Sequence, residues 1–70
     1  MKVIYDSESD AVYVKLGNQR PDGVVEISES VNIDTTDDNQ IVGIEILNAS
    51  KKMDIKTILS YKLELDKKLT

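Results

Sequence analysis

Two stretches near the middle of the chain, Val31-Asn32-Ile33-Asp34-Thr35 and Val42-Gly43-Ile44-Glu45-Ile46, alternate apolar with polar or small residues at a period of two. Successive side chains of a strand point to opposite faces, so this alternation marks a half-buried sheet rather than a helix. The residues between them, Thr36 to Ile41, must turn the chain. Centring the turn on Asp38-Asn39 sets Ile33 opposite Ile44, Val31 opposite Ile46 and Thr35 opposite Val42. Asn39 suits the positive φ that a tight turn demands there. The outer face then carries Asn32 opposite Glu45 and Asp34 opposite Gly43.

The same logic extends toward the N-terminus. Val3-Ile4-Tyr5 and Ala11 to Leu16 flank a polar stretch whose Ser and Asp side chains can bond their own backbone. A four-residue loop, Ser7 to Asp10, places Tyr5 opposite Val12 and Val3 opposite Val14, with Leu16 on that side. Lys2, Ile4, Asp6, Ala11, Tyr13 and Lys15 fall on the other. Gly17 to Gly23, with Asn18, Pro21 and Asp22, is the densest cluster of turn formers and reads as a loop. After it, a three-residue turn at Ser28-Glu29-Ser30 sets Ile27 opposite Val31 and Val25 opposite Ile33. Three registers agreeing on one apolar face predict an α+β fold: about five strands in a mainly antiparallel meander sheet, with one C-terminal helix packed on one face.

Ile55, Ile58 and Leu59 recur at helical spacing, with Ser50 or Asp54 available as a cap, and predict that helix over roughly residues 50–60. Beyond it the period changes again. Tyr61, Leu63 and Leu65 alternate with Lys62, Glu64 and Asp66, so residues 61–70 form a C-terminal extension, either a strand or a continuation of the helix. A strand there would pair with a sheet edge of its own or another subunit. Residues 1–60 make a single small domain, near the lower limit for one hydrophobic core, and self-association is a common remedy for that size.

The 70 residues contain no cysteine and no histidine, which removes disulfides and the usual zinc and iron ligands and leaves only oxygen ligands for a metal. No apolar run approaches the roughly 20 residues of a membrane span, and Met1 to Asp6 runs straight into a strand, so no membrane association and a cytoplasmic location are expected. Residues 1–50 hold ten acids against Lys2, Lys15 and Arg20, whereas residues 51–70 hold six lysines against three acids. The basic end is a solvated surface or a tail that docks on an acidic partner. Nucleic acid is not an expected partner, because phosphate neutralisation needs a denser basic stripe on a less acidic body.

The run Tyr5-Asp6-Ser7-Glu8-Ser9-Asp10-Ala11-Val12-Tyr13-Val14 and the run Ile41-Val42-Gly43-Ile44-Glu45-Ile46-Leu47-Asn48-Ala49-Ser50 resemble the two signatures of the prokaryotic family catalogued as domain of unknown function 2283. The resemblance covers the chain to about Ser50. Where members of that family often have a glycine in the acidic turn, this chain has Asn39-Gln40. The family has no established activity. By analogy with members thought to lie beside toxin-like partners, the resemblance implies an antitoxin-like role as one alternative.

Candidate chemistry is sparse. Asn32, Asp34 and Glu45 form a polar cluster on the outer face, with Asp37 and Asp38 at the hairpin tip, and paired carboxylates can shift each other's pKa or hold a hard cation. The spacing from Asp34 to Asn39 is not that of a calcium loop, and a polar strand face with a turn accounts for these residues. Ser7, Ser9, Ser28 and Ser30 lack a base to activate them. Tyr5 belongs to the apolar face and Tyr13 to the outer one, where Ile4, Ile41 and Leu47 also project. Such a patch suits a protein interface better than water, and the interface is expected on this outer face, on the C-terminal segment with Tyr61, Leu63 and Leu65, or on both. The expected function is a non-enzymatic protein-interaction module forming a homodimer, with no catalytic, cofactor or metal site. The alternatives are an antitoxin-like partner of a small toxin and a carboxylate-based metal or hydrolytic site on the outer sheet face; another small protein is a candidate partner beside a second copy.

Overall fold

In the computed structural model, which describes residues 1–60 and 62–66, five strands form one antiparallel sheet: β1 (Lys2–Asp6), β2 (Ala11–Lys15), β3 (Gly23–Ser28), β4 (Val31–Thr35) and β5 (Ile41–Ile46). Strands β3, β4 and β5 follow one another as a meander, and β5 then pairs with β2, giving the order β1-β2-β5-β4-β3. The loop after β2 therefore crosses to the far edge of the sheet. It is held on the way because the Leu16 and Gly17 N–H groups both donate to the Val42 carbonyl, at 2.8 and 3.0 Å. At its end the Asp22 N–H donates to the Thr35 carbonyl and the Asp22 carboxylate accepts from the Asp37 N–H.

The first hairpin has the expected register, with Tyr5 facing Val12 and Val3 facing Val14. Its turn closes through Asp10 at φ 53°, a value open to Asp because its short side chain bonds locally. In the β4–β5 hairpin Ile33 faces Ile44, Val31 faces Ile46, Asn32 faces Glu45 and Asp34 faces Gly43. Asn39, at φ 65°, supplies the left-handed residue. Thr36, nearly buried, organises this turn: its hydroxyl bonds to the Asp38 carboxylate and accepts from the Gln40 N–H, and its own N–H donates to the Gln40 carbonyl.

Two pairings differ from expectation, each at a bulge. Ser28, not Ile27, faces Val31, because the turn has two residues and the Ser28 hydroxyl accepts from the Ser30 N–H; the surplus residue is taken up between Glu26 and Ser28. Thr35 faces Ile41 rather than Val42, since Val42 bulges where its carbonyl receives the crossing loop. Val25 faces Ile33 as expected.

The helix expected over residues 50–60 is two short pieces, α1 (Ala49–Lys52) and a 3₁₀ turn (Ile55–Leu59). Met53 is extended between them. Asp54 accounts for the break: its carboxylate accepts from the Lys56 N–H and its carbonyl from the Thr57 hydroxyl, local bonds that start a new turn in place of a continuing helix. Leu59 is 87% exposed and does not roof the sheet. Residues 62–65 adopt neither strand nor helix.

Opposed residues share a face, so the registers define rows across the sheet. On the inner face run Tyr5–Val12–Ile46–Val31–Ser28 and Val3–Val14–Ile44–Ile33–Val25. Neither row contains a charge. On the outer face run Ile4–Tyr13–Glu45–Asn32–Glu26 and Lys2–Lys15–Gly43–Asp34–Val24. Burial is thin: of the inner rows only Val12 is fully buried, Val25 stays 48% exposed, and the aliphatic residues between are half-buried.

Candidate functional site

Strand order brings Tyr13 on β2 beside Gly43 on β5, and Asp34 on β4 lies beyond it. With no side chain at Gly43, the phenol end of the Tyr13 ring occupies that position, and its hydroxyl donates to an Asp34 carboxylate oxygen at 2.9 Å. The Asn32 amide donates to Glu45 at 3.2 Å in the neighbouring row. The cluster expected from register, Asn32, Asp34 and Glu45, is thus assembled, with Tyr13 as a fourth member. The hydrogen bond to Asp34 raises the Tyr13 pKa above its ordinary value, reinforced by burial and by the negative charges of Asp34 and Glu45. The phenol is held neutral, as a donor.

Chemically this cluster is self-satisfied. Asp34 and Glu45 each have a side-chain partner, and no group of three or more acidic residues converges as a metal site among the described residues. Two shallow concavities, of about 250 and 600 Å³, open around Leu16, Gly17 and Asn18 and include none of these carboxylates.

The apolar residues expected at an interface are spread over the sheet and the C-terminal segment. Ile4 (46% exposed) lies directly opposite Tyr13. Ile41 (49% exposed) starts β5 opposite Thr35, so the bulge at Val42 puts it on the inner side and not the outer one, and Leu47 follows the last residue of β5. Leu63 and Leu65 are exposed beyond the last turn. Tyr61, Lys67 and Lys68 lie outside the described residues. The contiguous apolar surface is instead the inner face, and β3 continues it to the edge with all six residues exposed.

A second constellation, absent from the expectations, centres on Asp10. One carboxylate oxygen accepts from the Tyr5 hydroxyl at 2.9 Å and the Ser50 N–H at 3.0 Å; the other accepts from the Ser50 hydroxyl at 2.7 Å. The Asp10 carbonyl also accepts from the Ala49 N–H. The residue before α1, Asn48, makes no side-chain cap, so Asp10 caps the helix from 40 residues away. The Ser50 bond lowers the Asp10 pKa most, followed by the Tyr5 bond, while the Asp10 bond raises the pKa of Tyr5. An Asp closing one turn and a Ser opening a helix were both visible as letters; their meeting depended on β2 lying beside β5.

The two runs that carry the family resemblance therefore interlock twice, through Tyr13 over Gly43 and through Asp10 on Ala49 and Ser50. No helix among the described residues is long and apolar enough to cross a membrane. Comparison with curated proteins and with solved structures returns no match. The family model for DUF2283, described as a protein of unknown function, matches residues 2–50, from the first residue of β1 to the serine that Asp10 holds, and the chain belongs to that family.

Proposed function

We propose that the domain is a non-enzymatic protein-interaction module that self-associates through its inner sheet face. The observation that carries this reading is the pair of charge-free rows, ten positions of which only Val12 is fully buried. A sheet with one apolar face is completed by a second layer, and α1 with its following 3₁₀ turn is too short to supply one. A second copy brings an identical uncharged face, so stacking two sheets about 10 Å apart desolvates no charge from either inner row. Five strands spaced about 4.8 Å, each of five or six residues at about 3.4 Å, make a face of roughly 24 by 17–20 Å. That flat footprint, roughly 400–500 Å² a side, lies at the small end of protein interfaces. The non-enzymatic part rests on the outer face, where Asp34 and Glu45 are engaged by Tyr13 and Asn32 on an open sheet.

Light scattering at micromolar concentration tests the reading, with Val25→Glu as the variant. Val25 is half-exposed on an edge strand, so a single chain tolerates the charge, checked by an unchanged circular dichroism spectrum. A stacked face does not tolerate it, and the number of chains per particle should halve. A wild-type particle of one chain, or equal masses for the two proteins, would contradict the proposal.

A further inference from the structure

The free edge of β1 points to a second contact between copies. Residues 2–6 pair with β2 without interruption over five positions, and among the described residues no hydrogen bond outside that ladder uses a main-chain group of these five. The opposite edge, β3, carries a bulge and a central Glu26, features that blunt an edge against pairing. Edge β1 has neither device, and its charges sit only at its two ends.

Those charges make the edge self-complementary. Two antiparallel copies of β1 related by a two-fold axis perpendicular to the sheet keep both apolar faces on one side only if odd positions meet odd and even meet even. With Ile4 on the axis, Ile4 meets its own copy, Val3 meets Tyr5, and Lys2 meets Asp6 at both ends. Centring on Val3 leaves Asp6 without a partner, and centring on Tyr5 sets Lys2 against Glu8 in the turn, outside the strand, and Asp6 against the apolar Ile4. Within one chain, moreover, Lys2 stands directly opposite Lys15, a like-charge pairing that is unfavourable. The one ion pair among the described residues joins Lys62 to Glu64, so neither Lys2 nor Lys15 has an acid within bonding distance there. Asp6 of a second copy would supply it.

We infer that two copies join edge to edge through β1, with Ile4 on the two-fold axis and Lys2 facing Asp6 across it, making one continuous ten-stranded sheet. This contact goes beyond the face-to-face stacking proposed above and does not require it. Its exposed ion pairs fix register more than they add affinity. Ile4, half-exposed on the outer face, is the apolar residue at its centre.

Site-specific crosslinking tests it, since the chain has no cysteine of its own. Across an antiparallel pair, Cα atoms directly opposite are about 4.5–5.5 Å apart, within disulfide reach, whereas Val3 and its own copy would be about 8 Å apart and out of reach. Under mild oxidation Ile4→Cys should give a covalent dimer on non-reducing gels and Val3→Cys should not. The Ile4→Cys link should persist in the presence of Val25→Glu, which separates this contact from the stacked face. Lys2→Asp relieves the clash with Lys15 inside the chain and sets carboxylates against each other across the axis, so the linking yield should fall about tenfold. Adding Asp6→Lys should restore it. Efficient linking through Val3→Cys, no link through Ile4→Cys, or a yield indifferent to Lys2→Asp would each overturn the inference. A wild type that associates while Ile4→Cys stays unlinked would overturn this contact and leave self-association standing.

Discussion

Replacing Gly43 with alanine puts a methyl group where the Tyr13 ring already lies. A Cβ built at Gly43 would overlap the phenol oxygen and Cζ and stand 3.0 Å from Cε1. Gly43 does not have a positive φ, so the substitution introduces no backbone strain, and on chain entropy alone alanine would stabilise by about 0.4–1 kcal/mol. The cost comes from the tyrosine. To clear the methyl, Tyr13 must swing away and give up its 2.9 Å bond to Asp34, a charge-assisted bond worth about 1.5 kcal/mol at this half-buried position. Lifting about 50 Å² of ring from the glycine backbone adds roughly 1 kcal/mol. The net is about 2 kcal/mol of destabilisation, and at about 4–8 °C per kcal/mol for a domain this small, Tm should fall by about 8–16 °C. Tyr13→Phe removes only the hydrogen bond and should cost about 1.5 kcal/mol in the wild type and much less beside Gly43→Ala. Thermal melts of the two single variants and the double close the cycle. A Gly43→Ala protein that melts within about 2 °C of wild type, or strictly additive costs, would refute the view that the ring is held across the glycine by Asp34.

Two pH predictions follow from the same contacts. The Asp10 pKa is lowered in the folded state, so its contribution to stability is present above the ordinary carboxylate pKa and is lost as pH falls through the folded value; Asp10→Asn should lower Tm at neutral pH and flatten the acid limb of the Tm profile, and an unchanged acid limb would count against the link to Ser50. The Tyr13 pKa is raised, so its contribution is complete below the ordinary tyrosine pKa and is lost as pH climbs through the folded value. Tyrosinate absorbance should show two late-ionising phenols, Tyr5 and Tyr13, with one of them lost in Tyr13→Phe and the Tyr13 share shifted to lower pH in Asp34→Asn.

Much of this architecture was legible because alternation at a period of two, with a fixed turn length, leaves few registers. Tyr5 on Val12, Ile33 on Ile44 and Asn32 on Glu45 follow from that arithmetic. The bulges at Ile27 and Val42 did not, since each is decided by competition for a single donor or acceptor, the Ser28 hydroxyl in one case and the Val42 carbonyl in the other. Spacing alone does not separate a helix over residues 50–60 from two short turns, because Ile55, Ile58 and Leu59 fit a 3₁₀ turn as well as an α-helix and spacing does not register the local bonds of Asp54. Half of the candidate site was readable within one hairpin. The other half, Tyr13 on Asp34 and Asp10 on Ser50, needed β2 to lie beside β5, a non-local pairing that no local pattern specifies.

Because α1 and its 3₁₀ turn leave the inner rows half-open, the account hangs on what closes them. Sedimentation velocity of the wild type at micromolar concentration, run beside Val25→Glu, asks this directly. The account expects a wild-type particle of at least two chains, and half as many chains for the variant with its circular dichroism unchanged. A wild type that sediments as a single folded chain would mean that the open face is stable in water, and would contradict it.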